Sequence, residues 1–122
     1  MSLGGGEILV GGNFQGKGPE RNALRTFVGA GVSISADTIE QGNGGMVIVW
    51  ADEVTRFFGE ISARGGADGG DGGFVETSGR AFLDARGRVN AGADRGAAGV
   101  WLLDPYNITI VDGSDVQVSP TG

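Results

Sequence analysis

Short alternating runs recur along the chain, each directly after a pair of small residues. Gly5-Gly6 precedes Glu7-Ile8-Leu9-Val10, and Gly44-Gly45 precedes Met46-Val47-Ile48-Val49-Trp50. Gly72-Gly73 precedes Phe74-Val75-Glu76-Thr77, and Ala98-Gly99 precedes Val100-Trp101-Leu102-Leu103. Aligned on those pairs, Ile8, Val47, Val75 and Trp101 fall in one column, and Val10, Val49, Thr77 and Leu103 in a second. Both columns are apolar except for Thr77. A strand turns alternate residues to one face, so these are the expected inward positions. Glu7, Met46, Phe74 and Val100, with Leu9, Ile48, Glu76 and Leu102, are then the outward ones. A one-residue slip would reverse every face, which makes four copies of one parity hard to obtain by chance.

A second set of columns lies further on. Ile34 and Ala36, Ile61 and Ala63, Val89 and Ala91, and Val116 and Val118 alternate with polar neighbours, at steps of 27, 28 and 27 residues. Between the two sets stands a less regular apolar segment: Phe27-Val28, Phe57-Phe58, Phe82-Leu83 and Ile108-Thr109-Ile110. Three short strands in each repeat of about 27 residues predict an all-β, three-sided parallel β-helix of about four turns. No single turn can close a core, so turns stack with like positions over like. The domain is expected to span 5–118, after a disordered or appended leader at 1–4 and before a frayed tail at 119–122. Gly6 and Gly45 lie 39 residues apart, longer than the later intervals of 28 and 26, and the excess falls in a Gly/Pro/polar stretch at 11–22. That stretch predicts a protruding loop, a candidate to pack on the outer face. Pro105 predicts a corner after Leu103.

Composition supports strands and corners over helices. Of 122 residues 26 are glycine, and each glycine inside a helix costs about 1 kcal/mol relative to alanine. At corners, glycine supplies positive φ without a steric penalty. There is no strict every-third-residue glycine, which excludes collagen. The net charge is −6, and no basic stripe is present to neutralise phosphates, so nucleic acid is not an expected partner. No cysteine and no histidine are present, which removes disulfides, thiol chemistry and the commonest general base. No apolar run reaches transmembrane length.

Candidate chemistry is sparse. Asp68 and Asp71 occupy a glycine-rich corner and are the weak candidates for a metal, by analogy with calcium-binding β-rolls. Those sites need a nonapeptide repeat with aspartate at fixed phase, and a single copy is present, so a solvated corner is expected. Arg80, Asp84, Arg86 and Arg88 form the densest charged patch. It supplies one carboxylate, whereas sugar cleavage needs two across a groove. Trp50 ends its strand on the outward parity and is the candidate surface aromatic, with packing at the core edge as the competing role. Trp101 falls in an inward column. No catalytic residue, cofactor or metal ligand is assigned, and no enzymatic activity is expected.

Gly-Gly-Glu-Ile-Leu-Val-Gly-Gly (5–12), Met-Val-Ile-Val-Trp-Ala-Asp (46–52), Ile-Ser-Ala-Arg-Gly-Gly (61–66), Gly-Gly-Phe-Val-Glu-Thr-Ser-Gly (72–79) and Leu-Leu-Asp-Pro-Tyr-Asn-Ile-Thr-Ile (102–110) occur in that order. The ordered set resembles large secreted exoproteins of the filamentous-haemagglutinin type, which leave Gram-negative cells by two-partner secretion. The resemblance implies a right-handed parallel β-helix acting as an adhesin or passenger stalk, secreted or held at the outer-membrane surface. It implies two partners: a host-cell or extracellular glycan or protein receptor, and an outer-membrane transporter for the full-length protein. The family's secretion domain, with its asparagine-proline signature, is not visible in this stretch, and the family offers no shared catalytic residues. Carbohydrate binding or cleavage is the alternative reading. The open ends of such a stack predict a covering element or end-to-end self-association.

Overall fold

The structure is a computed structural model that describes residues 6–13, 16–18, 21–103, 107–110 and 117–120. The first turn consists of β1 (Glu7–Val10), β2 (Arg25–Val28) and β3 (Ser33–Ser35), and the second of β4 (Met46–Ala51), β5 (Val54–Phe57) and β6 (Glu60–Ser62). The third consists of β7 (Phe74–Gly79), β8 (Phe82–Ala85) and β9 (Arg88–Asn90). After these come β10 (Val100–Leu103), β11 (Asn107–Ile110) and β12 (Gln117–Pro120). Each strand stacks in parallel on the equivalent strand of the next turn. The first sheet runs β1-β4-β7-β10-β12, the second β2-β5-β8-β11 and the third β3-β6-β9. The chain is a parallel β-helix with three strands per turn.

Register follows the columns of the sequence. Ile8, Val47, Val75 and Trp101 are successive partners in the first sheet, and so are Val10, Val49, Thr77 and Leu103. Ile34, Ile61 and Val89 line up in the third sheet. These side chains, with Val28, Phe57, Leu83 and Ala85 from the second sheet, form one core along the axis. Full burial of each Val, Ile, Leu or Phe contributes about 1.5–3 kcal/mol, so two or three per strand are needed to hold each turn. Ala36, Ala63 and Ala91 follow the strands of the third sheet and are buried at the corner that leads to the first.

Four details depart from the sequence reading or refine it. Val118 does not extend the third sheet: β12 stacks on β10, with Val118 beside Trp101. A repeat near 27 residues and a period of two are common to all three faces, so spacing alone could not separate one face from another. Val116 lies outside the described residues. β12 also runs through Ser119 and Pro120, two residues into the expected tail. In the second sheet the true columns are Thr26, Thr55, Leu83, Ile108 and Val28, Phe57, Ala85, Ile110. Phe27 and Phe82 therefore point outward: the apolar pairs straddle the pleat, and only one member of each faces the core. Finally, Ile48, Glu76 and Leu102 keep outward parity yet are buried. The corner expected at Pro105 lies outside the described residues, although β10 does end at Leu103.

Candidate functional site

An open groove crosses several turns at the corner where each turn re-enters the first sheet. It measures about 570 Å³ and is lined by Asn43 to Met46, Asp71 to Phe74 and Ala97 to Val100, with Gly6 at one end. Its geometry follows from the small-residue pairs. A Cβ on Gly44 would collide with the Ala63 carbonyl oxygen, one on Gly72 with that of Ala91, and one on Gly99 with that of Gly73. None of these three has positive φ. Glycine is required here because neighbouring turns touch backbone to backbone, which is a different reason from the one composition suggested.

Two ladders border this glycine floor. On one side Met46, Phe74 and Val100 are register partners with half-buried side chains. On the other side the polar groups bond from turn to turn. Asn43 Oδ1 accepts from the Asp71 amide at 2.9 Å, and Asp71 Oδ1 accepts from the Ala97 amide at 2.9 Å. Asp71 is thus committed to holding the next corner. It is the sole titratable group among the described lining residues, so a second carboxylate for glycoside chemistry is not supplied there. Asp68 is exposed in the same corner, and its amide donates to the Glu40 carbonyl at 2.7 Å. No group of three or more metal-ligating side chains occurs among the described residues.

Trp50 is not a surface aromatic. It is 3% exposed, and Gly12 and Gly16 of the 11–22 loop pack against its ring, where a Cβ on either would collide with it. The indole Nε1 donates to Asp52 Oδ1 at 2.9 Å, and Asn22 Nδ2 donates to the same oxygen at 3.0 Å. The described part of the loop packs over Trp50 through Gly12 and Gly16, while Lys17 and Gly18 are exposed. Its base is closed by the Ala23 amide on the Gly11 carbonyl and its middle by Asn22 Nδ2 on the Gly16 carbonyl.

The charged patch read from the sequence is dispersed over three places. Arg80 belongs to the Trp50 cluster, 3.8 Å from Asp52 and with its guanidinium 5.7 Å from the indole centroid. Arg86 Nε donates to Asp84 Oδ1 at 2.8 Å on the second sheet, and its guanidinium lies 6.0 Å from the Phe58 ring. Arg88 is on the third sheet, in register with Glu60. Closeness in sequence misled here because each corner carries the chain to another face within a few residues. The groove's Asn43 was missed by sequence reasoning. A signal did exist, since Asn43, Asp71 and Ala97 all stand two residues before the second small residue of their pairs.

No helix among the described residues is long and apolar enough to cross a membrane. Comparison with known proteins identifies no matching family model and no matching curated sequence, so the reading of this chain stands on its fold and its residues.

Proposed function

We propose that the chain is a non-catalytic structural and adhesive segment of a large secreted or cell-surface bacterial exoprotein, of the filamentous-haemagglutinin type. The observation that carries this reading is the uninterrupted stack. Inward positions lie over the same positions of the turn before, and the corner polar groups are spent on joining turns. Such a solenoid transmits length and stiffness, because each turn contacts only its neighbours. The sequence motifs in family order add the surface location, the two-partner route and the outer-membrane transporter as partner of the full-length protein. Deleting 5–118 from the full-length protein is expected to lower bacterial adherence to host cells while secretion continues. Unchanged adherence would count against the reading.

A second reading is favoured by the groove. Its open shape, apolar ladder and glycine floor suit an extended glycan lying along the axis, bound without cleavage. On a glycan array this reading expects saturable binding that Phe74→Ala removes. Cleavage of polyuronate or other glycans by the purified chain, lost in Asp84→Ala, would overturn both readings.

A further inference from the structure

Of the asparagines in the chain, Asn43 alone is followed by glycine. A glycine nitrogen is the least hindered backbone nucleophile, because no side chain crowds its approach to the preceding carboxamide. Asn43 is exposed at its corner, so water reaches it. The fold nevertheless withholds both reacting groups. The Gly44 amide donates to the Asp71 carbonyl at 2.9 Å, and Asn43 Oδ1 accepts from the Asp71 amide at 2.9 Å. A third bond, from Thr38 Oγ1 to the Asn43 carbonyl at 2.5 Å, fixes the peptide link between them. Two of these bonds end on one residue of the next corner, so displacement of Asp71 frees nucleophile and electrophile together.

We propose that Asn43-Gly44 is a self-modification site, closed in the stacked chain and opened when the corner at Asp71 lifts off. The Gly44 nitrogen gives up its proton and bonds to Asn43 Cγ. The Cγ–Nδ2 bond breaks, and ammonia leaves with that proton. Water then opens the cyclic imide. Breaking the Cγ–nitrogen bond leaves aspartate at 43, whereas breaking the other carbonyl–nitrogen bond leaves isoaspartate, with one more carbon in the main chain. The corner discriminates between these products. Aspartate already fills the role one turn on, where Asp71 Oδ1 accepts from the Ala97 amide at 2.9 Å. Isoaspartate displaces Gly44, which has no room, since even a Cβ there would meet the Ala63 carbonyl. Each opening that ends in isoaspartate therefore loosens the corner irreversibly. The inference stands on the corner geometry, so failed adherence or glycan assays leave it untouched.

Peptide mapping by mass spectrometry tests this on the whole chain, incubated in mildly alkaline buffer with and without denaturant. In denaturant, Asn43 should convert faster than Asn13, Asn22, Asn90 and Asn107. In native buffer its conversion should be slower by about tenfold or more. At denaturant concentrations below unfolding, Asn43 conversion and hydrogen exchange of the Gly44 amide should rise by the same factor, since both need the same opening. The Asn43→Asp variant should keep the parent's thermal midpoint within about 3 °C. The isoaspartyl chain, formed in denaturant, separated and refolded, should lose exchange protection at Gly44 and Gly72. The proposal is overturned if Asn43 converts equally fast in folded and unfolded chains, if another asparagine leads in denaturant, or if conversion and exchange diverge. It is also overturned if isoaspartate at 43 is tolerated as well as aspartate, or if Asn43→Asp destabilises the chain as much as isoaspartate does.

Discussion

Thr77 is a hydroxyl in a column otherwise made of Val and Leu, and its partner explains it. Trp101, one turn on, points its indole Nε1 at Thr77 Oγ1 from 2.8 Å, with both side chains buried. A tryptophan in the core needs an acceptor, and the storey beneath supplies one. Thr77→Val keeps the shape and removes the acceptor. Chemical denaturation should show a loss of about 1–3 kcal/mol, the cost of a buried donor left without a partner. Gly72 makes the complementary point about space. Gly72→Ala should destabilise by about 1–3 kcal/mol or more, because its Cβ meets a rigid carbonyl of the next turn and no flexible side chain can yield. Wild-type stability in either variant would refute the corresponding account.

Among elements, the 11–22 loop depends most visibly on one contact. Its described residues lie over Trp50, and Asn22 joins the indole on Asp52. Trp50→Ala should lower stability by about 3–5 kcal/mol. It should also open the loop to limited proteolysis near Lys17, a site that stays resistant in the parent. Cleavage at equal rates in both proteins would show that the loop holds its place without the indole. Thr26 and Thr55 play a quieter role at the corner between the second and first sheets. Their hydroxyls donate to the Trp50 and Ser78 carbonyls at 2.7 and 2.6 Å. At the same column the third turn has Leu83, so this polar seam stops at the third turn; nearby, the Phe57 and Trp101 rings pack edge to face at 6.3 Å.

At the scale of the molecule, stability is distributed as a sum of turns and of the interfaces between them. Removing 46–73 joins Gly45 to Phe74 and places β7 against β1 in the register that β4 now holds. The shortened chain should retain a β circular dichroism spectrum with a lower thermal midpoint. A deletion of 46–74 shifts the parity by one and should fail to fold. If both deletions behave alike, the turns are not interchangeable storeys. Among the described residues, charged pairs such as Arg25–Glu53 at 3.5 Å are exposed and contribute little to stability.

Period, parity and the small-residue pairs were determined by the sequence alone. Ile8, Val47, Val75 and Trp101 could be placed over one another because a pleated strand admits just two faces and a slip exposes the core. Which of three sheets a given strand joins is not encoded in a period of two, and only the folded chain decided that β12 returns to the first sheet. The same holds for the site residues. Trp50 was legible as outward but not as covered, since its cover comes from a loop in the preceding turn. Arg80, Asp84 and Arg88 were neighbours in sequence but not in space, because every corner sends the chain to a new face. Local chemistry shapes a strand and its corner; what lies against each face is settled only when distant turns are brought together.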